Sequence, residues 1–110
     1  MIALEHLHAV LDELGRLEST DAVAYHLLGQ GVSGVRNDAS SCPLAAYVKQ
    51  RLPVSCAWAY PSHIAVYYAD GYMDTTDVPD MVRAFMTLFD QGVYPFLDAE
   101  LASTPAQEAP

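Results

Sequence analysis

The hydrophobic pattern of this chain changes its period at Pro53, and this change constrains the fold more than any other feature. Before Pro53, apolar residues recur at spacings of three and four, as they do on the buried side of amphipathic helices. After it, Val54, Cys56, Trp58 and Tyr60 alternate with smaller residues, as they do in a β-strand. The pattern therefore predicts helices followed by a sheet.

Three amphipathic helices are predicted in the N-terminal half of the chain. The second and third have residues at their ends that favour helix termini: Ser, Thr or Asp as N-caps, proline in the first turn, or glycine after the last turn. The helices span about residues 2–17, 22–28 and 43–51. Residues 31–41 are rich in Gly, Ser, Asn and Asp, which predicts a loop. Loops of that length tend to be functional or mobile.

A three-stranded antiparallel meander is predicted within residues 54–78. Asp70-Gly71, between Ala69 and Tyr72, is a two-residue hairpin signal, so we expect a type I′ turn there. The third strand, about residues 72–78, is polar. We interpret it as an exposed edge whose aspartates discourage pairing, although it could still recruit a partner strand.

The larger side chains of the first strand are expected to pack against the core. This orientation would make Cys56 a core thiol beside Val54 and Trp58. The alternating smaller residues would then lie on a face that is either closely covered or exposed.

A last helix is predicted after Pro79, ending before Gly92, and we expect it to be the main helix against the sheet. Residues 93–97 are apolar but interrupted by proline, so we expect them to lie back on the domain. Residues 99–110 are expected to form a disordered tail. The predicted fold is one α+β domain, residues 1–98, in the order α-α-α-β-β-β-α, with the antiparallel meander packed against helices.

The charge balance excludes several classes of partner. Fourteen acidic and five basic residues give a formal net charge of -9, which repels nucleic acid and anionic lipid.

No apolar stretch reaches the ~18 residues that a membrane span needs. The N-terminus carries Glu5, His6 and His8 rather than a basic segment followed by an apolar one, so no secretory signal is predicted. We expect a cytoplasmic protein that binds neither nucleic acid nor membrane directly.

Cys42 is the residue with the most reactive character. A thiol at a helix N-terminus has its thiolate stabilised by the helix dipole, so one hypothesis is a thiol-dependent enzyme or redox sensor. No histidine stands at a recognisable spacing from Cys42, and a half-buried structural residue is the commoner interpretation. In a reducing compartment Cys42 and Cys56 are expected to be free thiols. No metal or phosphate-loop motif occurs, so we predict no catalytic residue, metal or cofactor.

The other candidates are one loop arginine and the aromatic residues. Arg36, with a helix N-terminus behind it, could hold a phosphate or a carboxylate. Seven tyrosines and one tryptophan exceed what a small dry core holds, because their polar atoms need partners. We expect either an aromatic patch on one sheet face, edged by aspartates, or tyrosines at the rim of a packed sheet. The candidate binding residues are Arg36, Cys42, Trp58, Tyr60, Tyr67, Asp70, Tyr72 and Asp74.

Several short segments of the chain resemble one class of proteins. They are residues 31–36 (GVSGVR), 41–45 (SCPLA) with Tyr47, Pro79 followed by 83–85 (RAF), and 89–95 (FDQGVYP). Across residues 20–97 the chain resembles small acidic proteins of high-GC actinobacteria and their phages. The resemblance implies that source and a cytoplasmic compartment, and it carries over no activity and no catalytic residue.

The favoured function is a non-enzymatic regulatory protein that binds another protein through an acidic, tyrosine-rich surface. One alternative is an inhibitor or antitoxin-like mimic of nucleic acid that blocks a basic partner. The second is the thiol-dependent activity at Cys42, and an enzyme is the weaker class. A homodimer through the third strand stays open, although its charges oppose it.

Overall fold

The computed structural model describes residues 2–60 and 62–99. These residues confirm the predicted α+β class, and the order of elements differs from the predicted one by a short 3-10 helix after the last α-helix. The elements are α1 (Ile2–Gly15), α2 (Thr20–Gly29), α3 (Pro43–Arg51), β1 (Val54–Ala59), β2 (His63–Tyr68), β3 (Met73–Asp77), α4 (Asp80–Asp90) and a short 3-10 helix (Pro95–Leu97). Apart from Ala99, the predicted disordered tail lies outside the described residues.

The helix ends follow the local sequence signals. The Ser19 hydroxyl accepts a hydrogen bond of 3.1 Å from the Ala22 N–H at the start of α2. Cys42 is the N-cap of α3, and Pro43 takes the first helical position, where a backbone N–H would lack a partner. The basic residues Lys49 and Arg51 lie in the last turn of α3, where the helix dipole favours positive charge.

The strands form one antiparallel sheet in the order β1-β2-β3, which confirms the meander. The predicted type I′ turn is wrong. The Tyr68 N–H donates to the Tyr72 carbonyl at 2.8 Å, so the loop has three residues, 69–71. Only Gly71 in this loop has a positive φ, +89°, whereas a type I′ turn also needs one at Asp70. The Asp70 carboxylate instead accepts the Tyr72 N–H at 3.0 Å and closes the loop.

The sheet packs with the opposite face to the one predicted for β1. Ala57 and Ala59 are buried, whereas Cys56 and Trp58 are half-buried on the other side. The reason lies in the next strand. Ala57 pairs with Val66, and Ala59 pairs with Ile64, and both of these larger apolar residues of β2 are fully buried. Residues directly opposite share a face, so burying β2 carries the alanines inward.

On its inner side the sheet packs chiefly on α3, which lies along β1, and α1 reaches β3 through a contact of 2.9 Å between His8 and Thr76. The prediction that the last helix would be the main partner of the sheet is wrong, because α4 packs chiefly on α1 and α2. Its Phe85 is fully buried and stacks on Tyr94, with ring centroids 5.4 Å apart. Alanines at the inner positions of β1 leave room for the larger side chains of α3.

Residues 93–97 lie back on the domain as predicted, with Tyr94 and Leu97 buried. Asp98 and Ala99 continue this C-terminal arm, residues 93–99, so the predicted disorder is wrong for Ala99. The arm joins loop 31–41 through a parallel bridge at Gly34, whose N–H donates to the Leu97 carbonyl at 2.8 Å. The Ala99 N–H donates to the Gly34 carbonyl at 2.7 Å. Only glycine fits at position 34, since a Cβ there would lie 2.4 Å from the Pro43 nitrogen. The long loop is therefore ordered by backbone contacts.

Two strand alanines test this orientation of the sheet. Ala57→Leu adds three carbons under α3 and should lower the free energy of unfolding by about 1–3 kcal/mol. Ala65→Leu, on the opposite face beside Trp58, should change it by less than about 0.5 kcal/mol. Urea unfolding of both variants measures the difference. Equal losses, or a larger loss for Ala65→Leu, would contradict the orientation.

Candidate functional site

The outer side of the sheet carries a group of large side chains. Since the alanines of β1 point inward, the alternating residues of the three strands point outward. We call the surface formed by Trp58, Tyr60, His63, Tyr67 and Met73 the aromatic face. Tyr67 pairs with Met73 on β3 and with Cys56 on β1, and Trp58 lies two residues beyond Cys56 on the same face.

The rings of the aromatic face contact one another and stay open to solvent. Trp58 and Tyr67 meet edge to face, with centroids 5.2 Å apart, and Tyr60 stacks on His63 at 5.0 Å. Tyr60 is 40% exposed, Tyr67 37% and Met73 47%. Single exposed apolar residues are common on proteins, whereas several on one sheet face make that face a candidate interaction surface.

The sheet segment that carries the aromatic face has acidic side chains and no lysine or arginine. The segment is residues 54–78, and its acidic residues are Asp70, Asp74 and Asp77. Asp77 lies opposite His63 on the outer side, whereas Asp74 lies on the inner side and accepts a hydrogen bond from the Tyr68 hydroxyl at 3.0 Å. Burial, followed by this bond to Asp74, raises the pKa of Tyr68 to about 12. Positive charge on a partner would therefore be attracted to the rim of the face.

The structure divides the predicted binding residues into separate groups. Trp58, Tyr60 and Tyr67 share the aromatic face. Asp70 and Tyr72 lie at the exposed β2–β3 hairpin, where the Tyr72 ring stacks on Tyr68 at 6.2 Å. The remaining predicted residues lie elsewhere: Asp74 on the inner side of β3, and Arg36 and Cys42 around loop 31–41.

The Cys42 thiol is 4% exposed at the start of α3. Burial raises its pKa, and the N–H groups of Ala45 and Leu44 offset this only in part. The thiol therefore stays protonated at neutral pH, contrary to the thiolate stabilisation expected from the helix dipole. The two cysteines are free thiols, as predicted.

A pocket of about 330 Å³ opens beside Cys42. The Asp90 carboxylate in its wall accepts the Asn37 N–H at 2.9 Å and adds to the raised pKa of Cys42. Among the described residues, the lining contains two aspartates and no histidine that could activate the thiol. The lining residues are Asn37, Asp38, Ala39, Cys42, Ala59, Tyr60, Met86 and Asp90. This environment suits a structural thiol better than a nucleophile.

Arg36 binds a carboxylate of the chain itself. Its Nε lies 3.0 Å from Oδ2 of Asp98, whose side chain is only 2% exposed. Gly92 adopts φ +89° against the guanidinium, and a Cβ there would lie 3.1 Å from Nη1 of Arg36. A buried carboxylate needs such a cation, so the Arg36–Asp98 pair secures the C-terminal arm to loop 31–41. Sequence analysis found Arg36 but missed Asp98, since no local pattern links positions so far apart.

A second polar cluster, which sequence analysis also missed, joins the first three helices. The fully buried Tyr47 donates its hydroxyl to the Glu13 carboxylate at 2.5 Å and accepts from Arg51 at 2.5 Å. His26 Nε2 lies 3.2 Å from the same oxygen. The bond from Tyr47 lowers the pKa of Glu13, while burial and the bond to Glu13 raise the pKa of Tyr47 to about 12. The cluster connects α1, α2 and α3. The Tyr47 hydroxyl already contacts Glu13, Arg51 and His26 within the protein.

No protein-family model, curated protein or solved structure matches this chain. The resemblance to actinobacterial and phage proteins therefore stays a prediction. Within residues 2–60 and 62–99, no group of three or more His, Cys, Asp and Glu side chains is placed to hold a metal ion. Across the same residues, no helix combines the length and the apolar composition that crossing a bilayer requires. Of the predicted binding residues, Trp58, Tyr60 and Tyr67 share one exposed sheet face, and we take this aromatic face as the candidate site.

The Tyr47 cluster should make stability fall at alkaline pH. The folded pKa of Tyr47, about 12, lies above its ordinary value of 10.0, so the unfolded chain releases this proton first. Stability that is present below pH 10 is then lost as the pH rises towards 12. Tyr47→Phe should flatten that loss in urea unfolding across this range, whereas Tyr25→Phe, at an exposed position, should not. Parallel pH profiles for wild type and Tyr47→Phe would refute the shift.

Proposed function

We propose that this protein is a non-enzymatic, cytoplasmic binding protein that contacts a basic surface of another protein through the aromatic face. The supporting observation is that Trp58, Tyr67 and Met73 lie side by side on a sheet face that is open to solvent. Tryptophan, tyrosine and methionine are the residues that interfaces favour over the rest of a protein surface. Trp and Tyr also dominate the binding energy where they are buried by a partner.

The charge around the face supports a basic partner. Three aspartates and no basic residue lie in the sheet segment 54–78, and the whole chain carries a net charge of -9. Such a surface steers a positively charged protein into contact and repels an acidic one. Arginine or lysine of the partner can also stack on the Trp58 and Tyr67 rings as cation–π pairs. The same charge disfavours a homodimer through this face, because it would bring aspartates together.

The alternative of nucleic-acid mimicry makes a different demand on the surface. A mimic acts mainly through a broad negative field, and its binding weakens steeply with salt. Contact through the aromatic face depends on removing ring surface from water, which salt does not weaken. The thiol-dependent alternative is disfavoured by the burial and raised pKa of Cys42.

Site-specific photo-crosslinking tests the proposal in cells of the native host. A benzoylphenylalanine replaces Tyr67 on the aromatic face or, as the matched control, the exposed Tyr25 on α2. We expect position 67 to crosslink one protein with a basic surface and position 25 to leave it unlabelled. Crosslinks from position 25 alone, or equal labelling of both, would contradict the proposal.

The crosslinked protein then allows direct measurements of binding. Trp58→Ala should weaken its affinity at least about tenfold, which corresponds to the loss of one interface aromatic worth more than 1.4 kcal/mol. The wild-type complex should survive above physiological ionic strength. Its complete loss there would favour charge mimicry over contact by the aromatic rings.

A further inference from the structure

The hydrogen bonds at the two ends of the β2–β3 ladder determine which backbone groups of β3 are free. The Tyr68 N–H donates to the Tyr72 carbonyl at 2.8 Å at the hairpin end. The Val78 N–H donates to the Ser62 carbonyl at 3.2 Å at the opposite end. Antiparallel pairs alternate between hydrogen-bonded and non-bonded ones. The even-numbered residues of β3 therefore bond to β2, and the odd-numbered ones do not.

The backbone groups of Met73, Thr75 and Asp77 consequently point away from β2, towards the open edge of the sheet. All three residues are exposed. Within residues 2–60 and 62–99, nothing else forms a backbone hydrogen bond with them. Three donors and three acceptors thus form a row at which another strand can pair.

The inner side of β3 holds this edge in place. The Tyr68 hydroxyl donates to the Asp74 carboxylate at 3.0 Å, and His8 Nε2 of α1 lies 2.9 Å from the Thr76 hydroxyl oxygen. These hydrogen bonds hold the Asp74 and Thr76 side chains on the inner side of the sheet, so an incoming strand would pair with an ordered edge. A surface that is ordered in advance loses less conformational entropy on binding.

We propose that the free edge of β3 accepts an extended segment of the basic partner as a fourth, antiparallel strand. Lysine or arginine of that segment lies opposite Asp77 and Asp74, and an apolar residue lies opposite Met73. The inference rests on the proposed function, and it adds the mode of contact: Met73 belongs to both the edge and the aromatic face, so the added strand extends that face. Main-chain bonds of this kind give affinity, and alternate side chains give specificity.

The aspartates of β3 select the strand that pairs. Like charges directly opposite each other destabilise a sheet, whereas opposite charges stabilise it. Asp74 and Asp77 therefore repel an acidic strand, including β3 of a second copy, and attract a basic one. The charges that prevent self-association at an open edge are the same charges that recognise the partner.

A designed peptide tests the edge without the natural partner. Lys-Thr-Val-Lys-Ile places its residues, in order, opposite Asp77, Thr76, Thr75, Asp74 and Met73 of an antiparallel strand. Its control, Glu-Thr-Val-Glu-Ile, differs only in charge. Amide hydrogen exchange of the labelled wild-type protein should slow about tenfold at Met73, Thr75 and Asp77 when the lysine peptide is present at about ten times its Kd. No slowing with the lysine peptide, or equal slowing with both, would overturn the proposal.

A backbone variant tests the same edge with the partner itself. Thr75→Pro removes an outward N–H and leaves every bond between β3 and β2 in place, and Thr75→Ala keeps the N–H as the matched control. We expect Thr75→Pro to weaken partner binding at least about tenfold, which is about 1.4 kcal/mol, and Thr75→Ala to leave it unchanged.

The outcomes separate this inference from the proposed function. If Thr75→Pro binds the partner as wild type does while Tyr67→Ala does not, strand addition is wrong and the aromatic face remains the binding surface. If Tyr67→Ala binds normally, the proposed function itself fails. Circular dichroism tests whether Thr75→Pro is folded. If the variant is unfolded, hydrogen exchange of the wild-type protein with the two peptides decides alone.

Discussion

The register between β1 and β2 determines which side chains this protein presents to solvent. Val66 and Ile64 of β2 are fully buried, and burying such a side chain contributes about 1.5–3 kcal/mol. Ala57 and Ala59 pair with them and share their face. Because a strand alternates its side chains, Trp58 has to point outward once the alanines point inward. The aromatic face is thus the consequence of burying β2.

The elements of this fold could be predicted from local patterns, but the sides of its sheet could not. Large and small residues alternate along β1, which shows that the strand has two different faces. The face of Trp58 was predicted to lie in the core because it carries the larger side chains. The deciding information lies in Ile64 and Val66 on the next strand and in their register with the alanines. The turn type at Asp70-Gly71 was wrongly predicted for the same reason, because it depends on which residues pair across the turn.

The candidate site was predictable only as a surplus of aromatic residues. Seven tyrosines and one tryptophan in a short chain indicate exposed rings, but only the structure brings Trp58, Tyr60 and Tyr67 to one face. Arg36 and Cys42 were predicted as binding residues from their chemistry, but in the fold both have structural roles. Arg36 pairs with Asp98, and Cys42 is the buried N-cap residue of α3. Partners that lie far apart in the chain leave no spacing for a sequence pattern to detect.

Three of the segments that carry the predicted resemblance, residues 31–36, 41–45 and 89–95, meet around loop 31–41. Gly34 lies against the backbone of Cys42 and Pro43, and Gly92 lies against the Arg36 guanidinium. The Asn37 N–H donates to Asp90 from the end of α4. These residues hold the loop, α3 and the C-terminal arm together, so the pattern describes how the chain folds. The aromatic face, through which we propose that the protein binds, lies on the sheet instead.

Trp58 is the single tryptophan of the chain, so its fluorescence tests the central claim directly. A half-buried indole on an open face of a protein of net charge -9, with Asp77 on the same side of the sheet, should be quenched by acrylamide, and by caesium more strongly than by iodide. The quenching should disappear when the partner is bound. A blue-shifted emission that resists all three quenchers in the free protein, or quenching that the bound partner leaves unchanged, would contradict the account.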